Sequence, residues 1–278
     1  MTTVAERDES GPPGAAGRPL LSLRGITKSF GAVQALRGVD LDIMPGKITA
    51  LVGDNGAGKS VMIKTISGIW GPTSGEMYWD GEPVTARTPR DADALGIATV
   101  YQDLALCDNL DIVQNMFLGH ELLAHRLLDE TEMEKSARQT LADLSVTSVS
   151  SVRQLVGSLS GGQRQSVAVA RAVMRDSKLV IMDEPTAALG VSQTAQVLDL
   201  IRRLGDRGIA VLVISHNLSD VFSVADRLAV LYLGTLVSSG PVTEYDAQSA
   251  VELITTGDRS QPADAASPAL STDIDPEG

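Results

Sequence analysis

The chain is poor in cysteine, aromatic residues and basic charge, and it has no long apolar run. Cys107 is its single cysteine, so no internal disulfide can form, which fits a reducing compartment. Aromatic residues make up 3% of the chain while hydrophobic residues make up 43%. The core must therefore be built from Val, Ile, Leu and Ala, as suits a parallel sheet covered by helices. Lys and Arg number 23 against 35 Asp and Glu, a formal net charge of -12. That balance argues against a nucleic-acid partner, whose backbone needs clustered cations. It leaves room for one local phosphate site. No uninterrupted apolar run reaches the ~18 residues that span a bilayer. The opening MTTVAERDESGPPGAAGRP lacks a basic stretch followed by an apolar core, so it does not read as a secretory signal. Any membrane role is expected to come through a partner.

Along the 278 residues the punctuation suggests three parts. Residues 1–19 and 257–278 are rich in Gly, Pro, Ala and charge, and read as a disordered leader and a disordered acidic tail. Between them strands and helices alternate. Half-exposed strands are expected at 20–26 and 38–43, and buried ones at 48–52, 97–101, 179–182, 210–214 and 228–233. A strand at 77–79 ends in the tight turn Asp80-Gly81. Helices are expected at 60–67, 192–207 and 218–224. From 111 to 173 the pattern is helical with no clear strand, an apparent helical lobe (about 110–175) inserted in an α/β domain.

Gly53-Asp54-Asn55-Gly56-Ala57-Gly58-Lys59-Ser60 matches the phosphate-loop pattern G-x-x-x-x-G-K-[ST] in full. Its glycines let backbone N–H groups curl around phosphate oxygens, and the helix that follows, through Val61, offers its positive end to the same anion. Lys59 is expected at the β- and γ-phosphates and Ser60 at Mg²⁺. Without its context the loop is also readable as a glycine turn before a helix. With it, the loop says NTPase or kinase.

Leu179-Val180-Ile181-Met182-Asp183-Glu184 is an apolar strand ending in two carboxylates. Such acids at the C-terminal end of a strand suit a metal and a water. Asp183 would hold Mg²⁺ and Glu184 would polarise the attacking water. Taken alone, the pair also reads as the acidic start of a helix.

Leu159-Ser160-Gly161-Gly162-Gln163 decides the class. It resembles the signature sequence of ABC ATPases, and few other proteins combine it with a phosphate loop. It also has the form of a serine-capped helix start, which can face an anion. Other positions follow the family's order. Phe30 falls where the family places an aromatic on adenine, Gln102 at the glutamine loop that contacts Mg²⁺ and senses the membrane partner, and His216 at the histidine that contacts the γ-phosphate. His120 and His125 match nothing and read as solvated. The resemblance, which spans about 20–255, implies a P-loop NTPase fold of ABC type: a mainly parallel core sheet, an antiparallel β subdomain and an inserted helical subdomain. It implies an ATPase with ATP and Mg²⁺, acting as a homodimer in which one copy's phosphate loop meets the other copy's signature. It further implies a peripheral protein on the cytoplasmic face of the membrane, bound to a permease through a surface at about 102–117 with exposed apolar side chains.

The loop GDNGAG, the stretches QDLAL and NMFLG, and PTAAL look like the monosaccharide-importer branch, which handles ribose, xylose, fructose and similar sugars. An extracytoplasmic sugar-binding protein is then an indirect partner. The sugar does not touch this subunit, so no residue names it. The alternatives are an amino-acid importer, an exporter, a soluble ABC ATPase or a non-catalytic nucleotide sensor. One departure stands out: Gly190 occupies a position where many family members have the Asp that links two active sites, which puts coupling between them in doubt.

Overall fold

The computed structural model describes residues 17–258. The leader and tail expected at 1–19 and 257–278 lie outside the described residues except at their inner ends.

Two antiparallel strands open the fold, β1 (Leu21–Phe30) and β2 (Val33–Ile43), followed by β3 (Ile48–Val52) and α1 (Lys59–Ile66). Then come β4 (Ser74–Trp79), β5 (Glu82–Val84), α2 (Pro89–Leu95) and β6 (Ile97–Val100). The middle holds α3 (Ile112–Phe117), the two-residue strands β7 (Leu123–Ala124) and β8 (Leu127–Leu128), α4 (Glu130–Asp143) and α5 (Gly161–Val173). The last part runs β9 (Leu179–Asp183), α6 (Val191–Asp206), β10 (Ala210–Ile214), α7 (Leu218–Val224), β11 (Arg227–Tyr232), β12 (Thr235–Pro241) and α8 (Ala247–Thr256).

A six-stranded sheet has the order β12-β11-β3-β10-β9-β6. All its pairings are parallel except β12 on β11. A four-stranded antiparallel sheet has the order β2-β1-β4-β5. Every residue of β3 and β10 is buried, as interior parallel strands require. Side chains alternate between the faces of the central sheet. Ile48, Ala50 and Val52 join Val180, Met182, Val211 and Val213 in a core with the helices α3 to α8. Leu51, Ile181, Leu212 and Ile214 join Met62, Ile63 and Ile66 of α1 and the inner face of the antiparallel sheet. The sheet is thus buried on both sides by aliphatic residues, each worth about 1.5–3 kcal/mol of burial.

Two sequence expectations need correction. The segment 111–173 contains strands: β7 and β8 form a hairpin whose turn residues His125 and Arg126 take φ of 51° and 70°, and two-residue strands are too short to show alternation. The apolar residues of 102–117 are exposed only in part: Ala105 is exposed and Leu104, Leu106 and Leu110 are half-buried. Ile112, Val113, Met116 and Phe117 are buried, because α3 packs inward on α5. Strands β5 and β12 and helices α2 and α8 carry patterns too short or too mixed to have been read. The helix of the signature starts at Gly161, with Ser160 as its cap. Among the described residues no helix is long and apolar enough to cross a membrane.

Candidate active site

Four neighbouring parallel strands deliver the candidate residues to one edge. In register, Leu51 of β3 lies beside Ile214 of β10, and Ile214 beside Asp183 of β9. Val100 of β6 lies beside Met182. The phosphate loop after Val52, Ser215-His216 after Ile214, Asp183-Glu184, and Tyr101-Gln102 after Val100 therefore emerge side by side. This is the end of an α/β sheet where ligands bind.

The loop is shaped by steric necessity. Gly53 has φ 158° and Gly58 φ 107°; a Cβ on the first would lie 2.3 Å from the Leu231 carbonyl oxygen, and on the second 2.7 Å from that of Ala35. Only glycine fits either place. Asp54, Asn55, Gly56 and Ser60 are exposed, Ala57 is buried and Val61 half-buried. Lys59 reaches back inside the loop, where its Nζ donates to the carbonyls of Gly53 at 2.7 Å and Asp54 at 3.0 Å. Its burial lowers its pKa, an effect opposed by the carboxylates of Glu184, Asp54 and Asp183. The first turn of α1 holds no acidic residue, so its leading N–H groups have no carboxylate of their own helix to meet them.

Asp183 ends β9 half-buried. Burial raises its pKa, the charge of Glu184 adds to this, and Lys59 and Lys64 oppose it. Glu184 turns sharply out of the strand with φ 51°, a left-handed conformation uncommon outside glycine and strained positions. Its N–H donates to the Ile214 carbonyl at 2.9 Å, which pins the turn to β10. Its carboxylate oxygen lies 2.8 Å from His216 Nδ1. The acid is mostly buried, with 16% of its side chain exposed, whereas His216 is open at 71%. Asn217 caps α7 immediately after the histidine, which fixes where the chain leaves β10. Gln102 is exposed at the neighbouring strand end. Phe30, 43% exposed, sits at the tip of the β1–β2 hairpin, and further along β2 the Ala35 carbonyl abuts Gly58.

The signature residues make hydrogen bonds of their own. Ser160 caps α5 in a reciprocal box: its N–H donates to Gln163 Oε1 at 2.9 Å, and the Gln163 N–H to its hydroxyl at 3.4 Å. Gly161 and Gly162 lie against Leu189 and Gln193, at the start of α6. Among the described residues these hydrogen bonds involve no member of the phosphate loop. The motif presents a capped helix start with Ser160 and Gly161 exposed.

Several residues here carry no local motif. Lys64 acts electrostatically on Asp183, and Thr186 Oγ1 is 2.7 Å from Asp220 Oδ2, which ties the segment after the acidic pair to α7. Asn115, fully buried, bonds the N–H and carbonyl of Cys107 and the carbonyls of Leu110 and Asp111. Arg171 of α5 donates to the carbonyls of Leu104 and Ala105. Together they fasten the segment after Gln102 to α3 and α5. Beside it opens a cleft of ≈ 650 Å³ lined by Tyr101, His120, Arg90, Arg171 and Arg175.

A family model described as "ABC transporter" matches residues 36–187. The chain is 46% identical to a fructose import ATP-binding protein of Rhizobium meliloti over 257 residues, 90% of this chain and 98% of that one. It is 44% identical to a xylose/arabinose import ATP-binding protein of Sulfolobus acidocaldarius, covering 85% of this chain and 94% of that one. In structure it resembles a dimeric ATP-binding cassette solved in a post-hydrolysis state with ADP and phosphate, with TM-score 0.66 and 26% identity over 80% of this chain and 98% of that one. An edge that gathers a phosphate loop, two carboxylates and a histidine, on a chain with these relatives, leads to one assignment: the chain belongs to the ABC transporter family, as a nucleotide-binding ATPase subunit.

Proposed function

We propose that this chain powers import of a monosaccharide by hydrolysing ATP, as a pair of copies bound to a permease at the cytoplasmic face of the membrane. The observation that carries the sugar reading is the 46% identity, over nearly the full length of both chains, to a fructose import ATP-binding protein. The ABC ATP-binding domain is taken as 20–256, with its helical subdomain at about 110–175.

The triphosphate binds in the loop 53–60. Lys59 exchanges its two carbonyl partners for β- and γ-phosphate oxygens, and the N-terminal N–H groups of α1 take the rest of the charge. Phe30 stacks on the adenine. Glu184 accepts the proton of the attacking water, and His216 orients Glu184 and meets the γ-phosphate. Ser60, Asp183 and Gln102 would hold Mg²⁺. A set with one carboxylate, one hydroxyl and one amide suits that ion, which completes its shell with water and substrate phosphates. It would supply charge neutralisation for the transferring phosphoryl group. Catalysis then rests on positioning and charge stabilisation. Ser160, Gly161, Gly162 and Gln163 serve the partner copy's nucleotide, which agrees with the absence, among the described residues, of a hydrogen bond from them to their own loop. The permease docks at the arginine-lined cleft beside Gln102.

The test is to purify the chain from its native membranes in mild detergent and identify what accompanies it. A polytopic permease, with an extracytoplasmic binding protein that binds a monosaccharide, supports the proposal. Soluble partners alone would sink the transport reading and leave the ATPase standing.

A further inference from the structure

Phe30 is not a lone ring on a hairpin tip. Trp70, four residues beyond the end of α1, meets it edge-on with ring centroids 4.9 Å apart and planes at 72°. Lys28 Nζ lies over the Phe30 ring, 5.2 Å from its centroid, and donates to the Gly71 carbonyl at 2.6 Å. Lys64 Nζ lies over the Trp70 ring at 4.6 Å. The backbone holds the same arrangement: Trp70 N–H donates to the Lys64 carbonyl at 3.0 Å, and Thr73 N–H to the Thr27 carbonyl at 2.8 Å. The segment 70–73 is thus laced both to α1 and to β1.

A phenylalanine side chain exchanges among its χ1 rotamers and flips about χ2 unless its neighbours stop it. Here one face of Phe30 carries an ammonium and its flank carries the indole, while the side chain remains open enough to receive a planar ligand. An edge-to-face aromatic pair is favourable by about 0.5–1.5 kcal/mol beyond area burial, enough to hold one rotamer. A ring fixed before binding loses no rotamer freedom on stacking, so its partner binds more tightly.

We propose that Trp70 is a positioning residue for the nucleotide base: it locks Phe30 in the orientation that stacks on adenine, without touching the base itself. This rests on Phe30 being the base platform. Trp70 lies four residues beyond the end of α1, the helix that begins at the phosphate loop. The base platform at the end of β1 is thus braced from the segment after the helix whose start meets the phosphates, and a tryptophan there is a local reporter of occupancy. The second tryptophan, Trp79, is 8% exposed in the core.

The experiment uses the full chain and titrates ADP and inorganic pyrophosphate by calorimetry, with Trp70→Leu, Trp70→Phe, Phe30→Ala and the Trp70→Leu/Phe30→Ala pair. ADP affinity should fall about three- to tenfold in Trp70→Leu, stay within about twofold in Trp70→Phe, and fall at least as far in Phe30→Ala. Pyrophosphate affinity should hold in all of them. The double variant should bind ADP no more weakly than Phe30→Ala alone, because Trp70 acts through Phe30. ADP binding unchanged in Trp70→Leu overturns the proposal, as does an equal loss of ADP and pyrophosphate, which marks damage to the fold. Additive losses in the double variant would mean that the indole touches the base directly. Unchanged ADP binding in Phe30→Ala would instead remove the platform reading on which the proposal rests.

Discussion

His216 Nδ1 and Glu184 Oε2 lie 2.8 Å apart, and they are joined through backbone as well, since the Glu184 N–H donates to Ile214 at the end of the strand that leads to His216. The contact places a mostly buried acid under an exposed imidazole at the edge where the phosphate loop opens.

Glu184→Gln keeps the side chain's shape and its neighbours but removes a proton acceptor. Turnover should fall about 10²–10⁴-fold while ATP affinity is kept, as read by phosphate release and nucleotide titration. Turnover close to that of the unaltered chain would refute Glu184 as the base.

Gly58→Ala and Gly56→Ala make a paired test of the loop. Both glycines have positive φ, 107° and 84°, but a Cβ on Gly58 would lie 2.7 Å from the Ala35 carbonyl oxygen while one on Gly56 meets nothing within 4 Å. Gly56→Ala should cost about 1–2 kcal/mol of backbone strain. Gly58→Ala should cost more and should also abolish ATP binding. Thermal melts and nucleotide titrations of the two variants decide it; equal behaviour would contradict the steric account.

Asp183 carries a raised pKa because it is buried beside Glu184. The folded state therefore favours its protonated form more than the unfolded state does. Its charged form is a cost at neutral pH, and that cost disappears as pH falls through the raised pKa. Asp183→Asn should accordingly raise the melting temperature of the nucleotide-free chain at neutral pH. The gain should close in acid, and hydrolysis should be lost. A lower melting temperature at neutral pH would show that the carboxylate is stabilised in the fold.

Gly190 caps α6 with φ -74° and ψ 162°, extended backbone open to any residue, and an added Cβ there would meet nothing within 4 Å. The fold does not require glycine at this place. Gly190→Asp should leave stability unchanged or raise it by a few tenths of a kcal/mol through capping. If an aspartate here links two sites, the Hill coefficient for ATP hydrolysis should rise. An unchanged coefficient would mean that coupling does not run through this position.

What could be read in the chain was whatever is encoded by contiguous residues. The loop 53–60, the strand ending in Asp183-Glu184 and the capped start at Ser160 each need only a few successive residues, and their chemistry is visible wherever they sit. The aliphatic character of the core was equally local, since β3, β9 and β10 are near-continuous apolar runs, as strands covered on both faces are. The short hairpin β7–β8 was not legible, because its geometry rests on His125 and Arg126 adopting positive φ. The buried face of α3 was not legible either, because which side of a six-residue helix turns inward depends on what it packs against.

Taken by itself, the sequence determined that this chain has a phosphate loop, an acidic strand end and a signature helix in the order of an ABC ATPase. Tertiary structure alone decided that β10 lies between β3 and β9, and so that His216 meets Glu184. It also decided that Trp70 meets Phe30, that Arg171 and Asn115 bind the segment after Gln102, and that Gly161 and Gly162 lie against Leu189 and Gln193. The physical reason is range. A turn or a cap is set by hydrogen bonds and sterics among near neighbours in the chain, whereas strand order and side-chain contacts are set by which distant apolar faces bury one another.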